Sequence, residues 1–133
     1  MYRKTLTMLF FCFIFSLLSL RTGFVFAGAE NAASCAKDAY NYARRAFIAN
    51  TLSDLKYQAY KAMEAAEKAK LAATDVGAYE AARLANAAYD YAKKARATNS
   101  LAQARNYSEK AMSAAQQAQS AAEKPEPPAK AAE

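Results

Sequence analysis

Alanine recurs along the chain in steps that alternate between four and three residues. The first series of such steps runs through Ala32, Ala36, Ala39, Ala43 and Ala46, and three further series follow it along the chain. Such steps place the alanines on one face of a helix, which is the heptad pattern of packed helices. The pattern therefore predicts helices near residues 30–49, 52–73, 77–98 and 101–123.

The alanine pattern belongs to a duplicated segment. Residues 32–73 return 49 positions later as 81–122, and from Asn31 and Glu80 onward the two copies agree at 18 of 43 positions. Each copy is broken once at the same point, so each is predicted to be a helical hairpin. Short connections make successive helices antiparallel neighbours. We expect an all-α, alanine-rich antiparallel four-helix bundle or coiled coil, with hairpins at about 30–73 and 79–122. The alternative is two long hairpins that associate across chains.

Capping residues mark the breaks between the helices. Thr51 and Ser100 each precede a helical segment and have an acid or an amide three residues later, which is the pattern of a hydroxyl N-cap. Between the two copies, Gly77 is the only glycine from Ala29 to Lys124. Glycine there favours a helix C-terminus, because it adopts the left-handed backbone conformation without strain.

Both ends of the chain are predicted to lie outside the bundle, which would occupy residues 28–123. Residues 1–27 combine a basic start, an apolar run and small residues before Gly28, which is the plan of a secretory signal peptide. Cleavage after Ala27 would make the protein secreted or periplasmic, and retention of the segment as an anchor is the alternative. In residues 124–133, three prolines exclude a continuing helix, so a disordered tail is expected.

Cleavage would change the charge and the cysteine content. The full chain has a formal net charge of +6, and three of its 18 basic residues precede residue 28, which leaves +3. Acids and bases are interleaved along the remainder, so no nucleic-acid footprint is indicated. Cys35 would be the only cysteine left. It is either a small apolar filler or a thiol that pairs between chains.

The composition excludes most catalytic and metal-binding sites. The chain has no histidine, so a histidine base, a histidine-bearing zinc site and a di-iron bundle site are all excluded. One cysteine cannot form a thiolate cluster, and no glycine-rich phosphate loop is present. We therefore predict a protein that is not an enzyme and that carries no metal or cofactor.

Tyrosine supplies much of the bulk that alanine lacks. Tyr40, Tyr42, Tyr89 and Tyr91 lie beside the alanine series in equivalent places of the two copies. One interpretation is that these rings wedge the bundle while their hydroxyls reach water. The alternative is a groove that stacks a sugar or another ligand.

The copies differ most at positions that point away from the alanine series. The first copy has large side chains where the second has small or polar ones: Ile48, Tyr57, Tyr60 and Leu71 against Ala97, Asn106, Glu109 and Ser120. We interpret the first set as a candidate interface, with Cys35 near its rim. The alternative is a wider core in which these residues are tucked under neighbouring helices.

These features favour a structural or interaction element of the cell envelope that works by helix packing. The expected partner is a second copy of the chain, with or without a Cys35 bridge, or another envelope protein; nucleic acid and a stable membrane span are not expected. The alternative is a carrier of a small ligand or metal in a tyrosine-lined bundle interior. A third class, a polyanion or membrane-surface binder, would use the basic pairs Arg44-Arg45 and Lys93-Lys94.

Overall fold

The computed structural model describes residues 28–124, and within this range the fold is all-α. Four helices follow one another: α1 over residues 28–48, α2 over Leu52–Asp75, α3 over Tyr79–Ala97 and α4 over Leu101–Glu123. Apart from the start of α1, where the described residues begin, the helix ends lie within two residues of the predicted ones. The predicted signal peptide and all but the first residue of the predicted tail lie outside the described residues.

Five layers of small side chains form the core of the bundle. Every layer takes at least one residue from each helix, and one of them consists of Ala36, Ala69, Ala85 and Ala118. From layer to layer, residue numbers rise along α1 and α3 and fall along α2 and α4. Neighbouring helices are therefore antiparallel, as predicted, and the four helices close within one chain.

The core is built almost entirely from methyl groups. Every buried residue among those described is alanine except Leu55 and Ser108. Ser108 satisfies its hydroxyl by donating to the carbonyl of Ala104 at 2.8 Å. The part of the axis that eight alanines line has no room for a water molecule. The helices are therefore packed closely, although each alanine contributes only about 0.8 kcal/mol when its methyl is buried.

Tyrosines pack against this core from its sides. Tyr40, Tyr42, Tyr89 and Tyr91 are partly buried against the central layer, and Tyr107 packs against the layer that contains Leu55. The interpretation of the rings as wedges is confirmed. The alternative of a tyrosine-lined interior stays a prediction, although the stretch of the axis that eight alanines line leaves no space for a ring.

The turn between the two copies ends α2 with a Schellman motif. The Ala78 amide donates to the Ala73 carbonyl at 2.9 Å and the Gly77 amide donates to the Thr74 carbonyl at 3.1 Å. Gly77 has a φ of 75°, the left-handed conformation that this motif requires. The glycine therefore satisfies the last carbonyls of α2 and turns the chain into α3.

Two equivalent cations join the hairpins at one end of the bundle. Lys56, near the start of α2, donates to Oδ1 of Asn99 at 3.0 Å. Arg105, the matching residue of α4, donates to the carbonyl of Ala49 at 2.8 Å. Each cation lies beyond the C-terminus of a helix in the other hairpin, where the helix dipole favours positive charge. Because the two contacts are made by equivalent residues, the two hairpins are related by an approximate twofold symmetry.

Hydroxyl side chains cap the second helix of each hairpin. The Thr51 Oγ1 atom accepts from the Asp54 amide at 3.2 Å, and the Ser100 Oγ atom accepts from the Gln103 amide at 3.3 Å. Both bonds satisfy an amide that has no partner within its helix.

Thr51→Ala should lower the free energy of unfolding by about 1 kcal/mol, because it leaves a first-turn amide of α2 without its capping partner. Urea unfolding followed by circular dichroism measures the change. Thr74→Ala is the matched control on α2, since the Thr74 hydroxyl donates back to the Lys70 carbonyl at 2.8 Å and caps nothing. Equal losses in the two variants would contradict the capping role.

Candidate functional site

Three of the predicted interface residues lie on the solvent-facing side of α2. Tyr57 is 59% exposed, Tyr60 38% and Leu71 58%. Tyr57 and Leu71 are two heptads apart, about 21 Å along the helix axis, and Glu64 lies midway between them. We call Tyr57, Tyr60, Glu64 and Leu71 the α2 outer face. Their exposure shows that the alternative of a wider core is wrong, while their role as an interface stays a prediction.

The middle of the α2 outer face is polar. The Tyr60 hydroxyl donates to Oε1 of Glu64 at 2.9 Å, and the Lys61 ammonium donates to Oε2 of the same carboxylate at 3.3 Å. Both hydrogen bonds lower the pKa of Glu64, with the bond from Tyr60 as the larger cause. The same bond to the carboxylate raises the pKa of Tyr60. The α2 outer face therefore has apolar ends and a paired, ionised centre.

Ile48 lies apart from the α2 outer face. It is 62% exposed and occupies the last turn of α1, at the end of the bundle where α2 begins. The outward sides of adjacent helices in a four-helix bundle point in different directions. The structure therefore brings Tyr57, Tyr60 and Leu71 together on one helix and leaves Ile48 on another.

Cys35 lies in a groove between α1 and α2. The side chain is partly buried, and its sulfhydryl donates to Oδ1 of Asn31 at 3.7 Å. The groove has a volume of about 170 Å³ and is lined by Cys35, Asp38, Tyr42, Lys61, Glu64, Ala65 and Lys68. Glu64 belongs both to the groove and to the α2 outer face, so the two features share a border.

The surroundings of Cys35 keep its thiol protonated. Burial raises the pKa of the thiol, the charge of Asp38 raises it further, and the charge of Lys68 opposes both. The thiolate is the reactive form of cysteine, so the raised pKa lowers the reactivity of Cys35.

The equivalent positions between α3 and α4 have a different chemistry. The first groove has a thiol, two carboxylates and a lysine at four positions where the second copy is uncharged: Leu84, Ala87, Ser113 and Gln117. Tyr42 and Lys61 are conserved between the copies as Tyr91 and Lys110. The first groove is therefore not a by-product of the shared fold, because the same fold is built without its charges.

Cations lie over several tyrosine rings. Arg45 lies 5.5 Å from the ring centroid of Tyr42, and Lys94 lies 5.6 Å from that of Tyr91. These two contacts have the same three-residue spacing in both copies, so the sequence contained the signal for them. A third, between Arg96 of α3 and Tyr60 of α2 at 4.9 Å, joins the hairpins and has no local sequence signal. Each such exposed contact is worth about 0.5–1 kcal/mol.

The described residues contain neither a metal-binding cluster nor a membrane-spanning helix. From residue 28 to residue 124, no group of three or more His, Cys, Asp or Glu side chains is arranged to hold a metal ion. In the same range, no helix is both long enough and apolar enough to cross a bilayer.

Comparison with known proteins adds no assignment. No protein-family model matches the chain, and neither a curated protein nor a solved structure is detectably similar to it. The candidate site consequently rests on the geometry of the α2 outer face and of the groove beside it.

Proposed function

We propose that the protein is a non-enzymatic helical bundle that acts by association, as a structural or interaction element of the cell envelope. The α2 outer face is its contact surface. The observation that supports this is the exposure of Tyr57 and Leu71 at positions where the second copy has Asn106 and Ser120. Large exposed apolar side chains that the fold itself does not require are typical of interaction sites.

The secreted or periplasmic location is part of the same proposal. Its support is the signal-peptide pattern of residues 1–27, with cleavage after Ala27. The carrier alternative has less support, since the alanine-lined axis offers no interior space for a ligand.

The partner that the α2 outer face fits best is a second copy of the chain. Tyr57 and Leu71 each lie seven residues from Glu64. When two α2 helices pack antiparallel about a twofold axis at Glu64, Tyr57 of each copy meets Leu71 of the other. Each Glu64 keeps its own hydrogen-bond donors, Tyr60 and Lys61. Each carboxylate at the centre of the contact is therefore hydrogen-bonded within its own copy.

The double variant Y57N/L71S tests this contact by giving α2 the residues of the second copy. We expect the protein purified from its own host to be a dimer by sedimentation equilibrium, and the variant to dissociate with a Kd raised about tenfold or more, because one apolar contact is lost at each end. The control N106A/S120A changes the equivalent positions of α4 and should leave the Kd unchanged.

Other outcomes of the mass measurement would contradict the proposal. A dimer of the same strength in Y57N/L71S would remove the α2 outer face as the contact surface. A doubled mass that halves on addition of a thiol would assign the dimer to a Cys35 disulfide. A single-chain mass that carries an additional non-protein component would favour the carrier function.

A further inference from the structure

The side of the bundle between α2 and α3 carries cations that are held in place by neutral partners. Lys70 donates to Oδ1 of Asn86 at 3.0 Å, and Lys56 donates to Oδ1 of Asn99 at 3.0 Å. Arg96 is positioned over the ring of Tyr60. An amide oxygen or an aromatic ring orients a cation without cancelling its charge, so these three positive charges are fixed and uncompensated by their partners.

Heptad spacing places two further charged residues, Lys93 and Glu67, on the same side of the bundle. Lys93 lies one heptad after Asn86, which contacts α2, and therefore lies on the same side of α3. Glu67 lies one heptad after Tyr60 and is the only carboxylate at these positions of α2. Asp90, which accepts from Asn86 at 3.4 Å, lies at the edge. We call Lys56, Lys70, Lys93 and Arg96, with Glu67 and Tyr60, the α2–α3 strip.

The approximate twofold symmetry provides a matched surface between α1 and α4. At the equivalents of the six strip residues this surface has Arg44 and Arg105 against Glu109. Lys37, Glu30 and Glu123 extend the same heptad series, so cations and carboxylates balance along this side. The α2–α3 strip has four cations against Glu67, and the carboxylate of Asp90 lies beside Asn86. The same helix positions therefore produce one side with balanced charge and one side with an excess of positive charge, so the positive charge of the α2–α3 strip is not imposed by the fold.

We infer that the α2–α3 strip binds a linear acidic polysaccharide. Lys56 and Lys70 are 14 residues apart on one helix, which spaces them about 21 Å along a rigid axis. A row of fixed cations along a straight bundle matches the regularly spaced sulfates or carboxylates of an extended glycan chain, and positioned opposite charges raise both the rate and the specificity of association.

The exposed aromatic rings favour a glycan over a lipid surface. Tyr79, at the start of α3, is 70% exposed, and Tyr60 is exposed nearer the opposite end of the strip. Tyrosine rings stack on sugar faces while their hydroxyls stay in water. Insertion into a membrane requires a continuous apolar face, whereas here cations separate the aromatic rings and Leu71 is the only exposed aliphatic residue of α2.

This surface is different from the one that the basic pairs of the sequence indicated. Within the pair Lys93-Lys94, Lys94 lies over Tyr91, a ring that Lys110 of α4 also approaches at 5.9 Å. Lys94 therefore faces α4, and only Lys93 belongs to the α2–α3 strip. The inference does not depend on the dimer proposed above, since its cations are not part of the α2 outer face.

The double variant K70Q/R96F tests the strip with residues that the fold accepts, because Gln119 and Phe47 occupy the equivalent positions of the other copy. Heparin serves as the probe, and binding is measured by titration calorimetry at low and at physiological salt. We expect the unchanged chain to bind in a salt-sensitive way and the variant to bind about tenfold or more weakly. Circular dichroism should show unchanged helicity.

The control variant K37Q/R44Q removes two cations from the α1–α4 side and therefore has the same net charge as K70Q/R96F. Its heparin affinity should change by less than about threefold if position rather than net charge decides binding. Sedimentation of both variants separates this inference from the dimer, because neither variant alters Tyr57 or Leu71.

Three results would overturn the inference. The first is no heparin binding by the unchanged chain at low salt. The second is an equal loss of affinity in K70Q/R96F and K37Q/R44Q, which would leave only net charge as the cause. The third is tighter binding to vesicles of mixed neutral and anionic phospholipid than to heparin, with loss in K70Q/R96F, which would assign the strip to a membrane surface.

Discussion

Leu55→Ala should lower the free energy of unfolding by about 2–5 kcal/mol, the largest loss expected for a single truncation in this chain. Leu55 is 0% exposed and is the largest fully buried side chain. The other buried residues of its layer are alanines, Ala46, Ala59, Ala95 and Ala104, while Leu52, Leu101 and Tyr107 pack against the layer from the side. Alanine has no rotamer with which to fill a void, so the cavity left by the leucine should persist.

The matched control for this prediction is Leu71→Ala. It makes the same substitution on the same helix at a side chain that is 58% exposed, and it should cost less than about 0.5 kcal/mol. Urea unfolding followed by circular dichroism, at a low protein concentration so that association does not contribute, compares the two variants. Similar losses would mean that the layer collapses around the truncated side chain.

Ala66→Leu is the second large effect that we expect. Ala66 is 1% exposed in the central layer and lines the part of the axis that cannot hold a water molecule. Three added carbons have no space there, so the helices must separate. Overpacking of this kind costs about 1–3 kcal/mol and occasionally more. A lower unfolding midpoint, with loss of a sharp transition, is the expected observation.

Glu67→Leu is the control for overpacking. It introduces the same side chain at the next residue, which is exposed, and should change the free energy of unfolding by less than about 0.5 kcal/mol. A stable Ala66→Leu variant with a cooperative transition would show that the bundle can widen without loss, and the close approach of the helices would then not be a condition of the fold.

The two expected losses of unfolding free energy are large relative to the stabilisation that the core provides. A buried methyl contributes about 0.8 kcal/mol and a buried leucine about twice that or more, and small domains have a net stability of only about 5–15 kcal/mol. A core of alanines with one leucine gains its stability from many close contacts of small groups. Such a core has little tolerance for a change of volume in either direction.

The helices and their arrangement could be predicted from the sequence because their signals are local. The alternating alanine steps indicated which side of each helix is buried, and the layers contain those same alanines. Thr51 and Ser100 cap amides only three residues away. Gly77 ends α2 through bonds within the turn itself. Interactions of such short range leave their pattern in neighbouring residues.

The duplication extended the prediction to part of the candidate site. Because both copies share one fold, a large side chain in one copy that is polar in the other is not needed for the core. That comparison indicated the exposure of Tyr57, Tyr60 and Leu71. It did not indicate that Ile48 belongs to a different side of the bundle, since the position of α1 relative to α2 is a property of the packed helices.

Only the tertiary structure decided which charged residues share a surface. Lys56 meets Asn99 across 43 residues of chain, and Arg96 meets Tyr60 from another hairpin, so no local pattern marks either contact. Adjacent residues of a helix, by contrast, point about 100° apart. The pair Lys93-Lys94 is therefore divided between two sides of the bundle. The sequence by itself determined which side of each helix is buried; the packing of four helices determined which exposed sides meet, because that depends on contacts between distant segments.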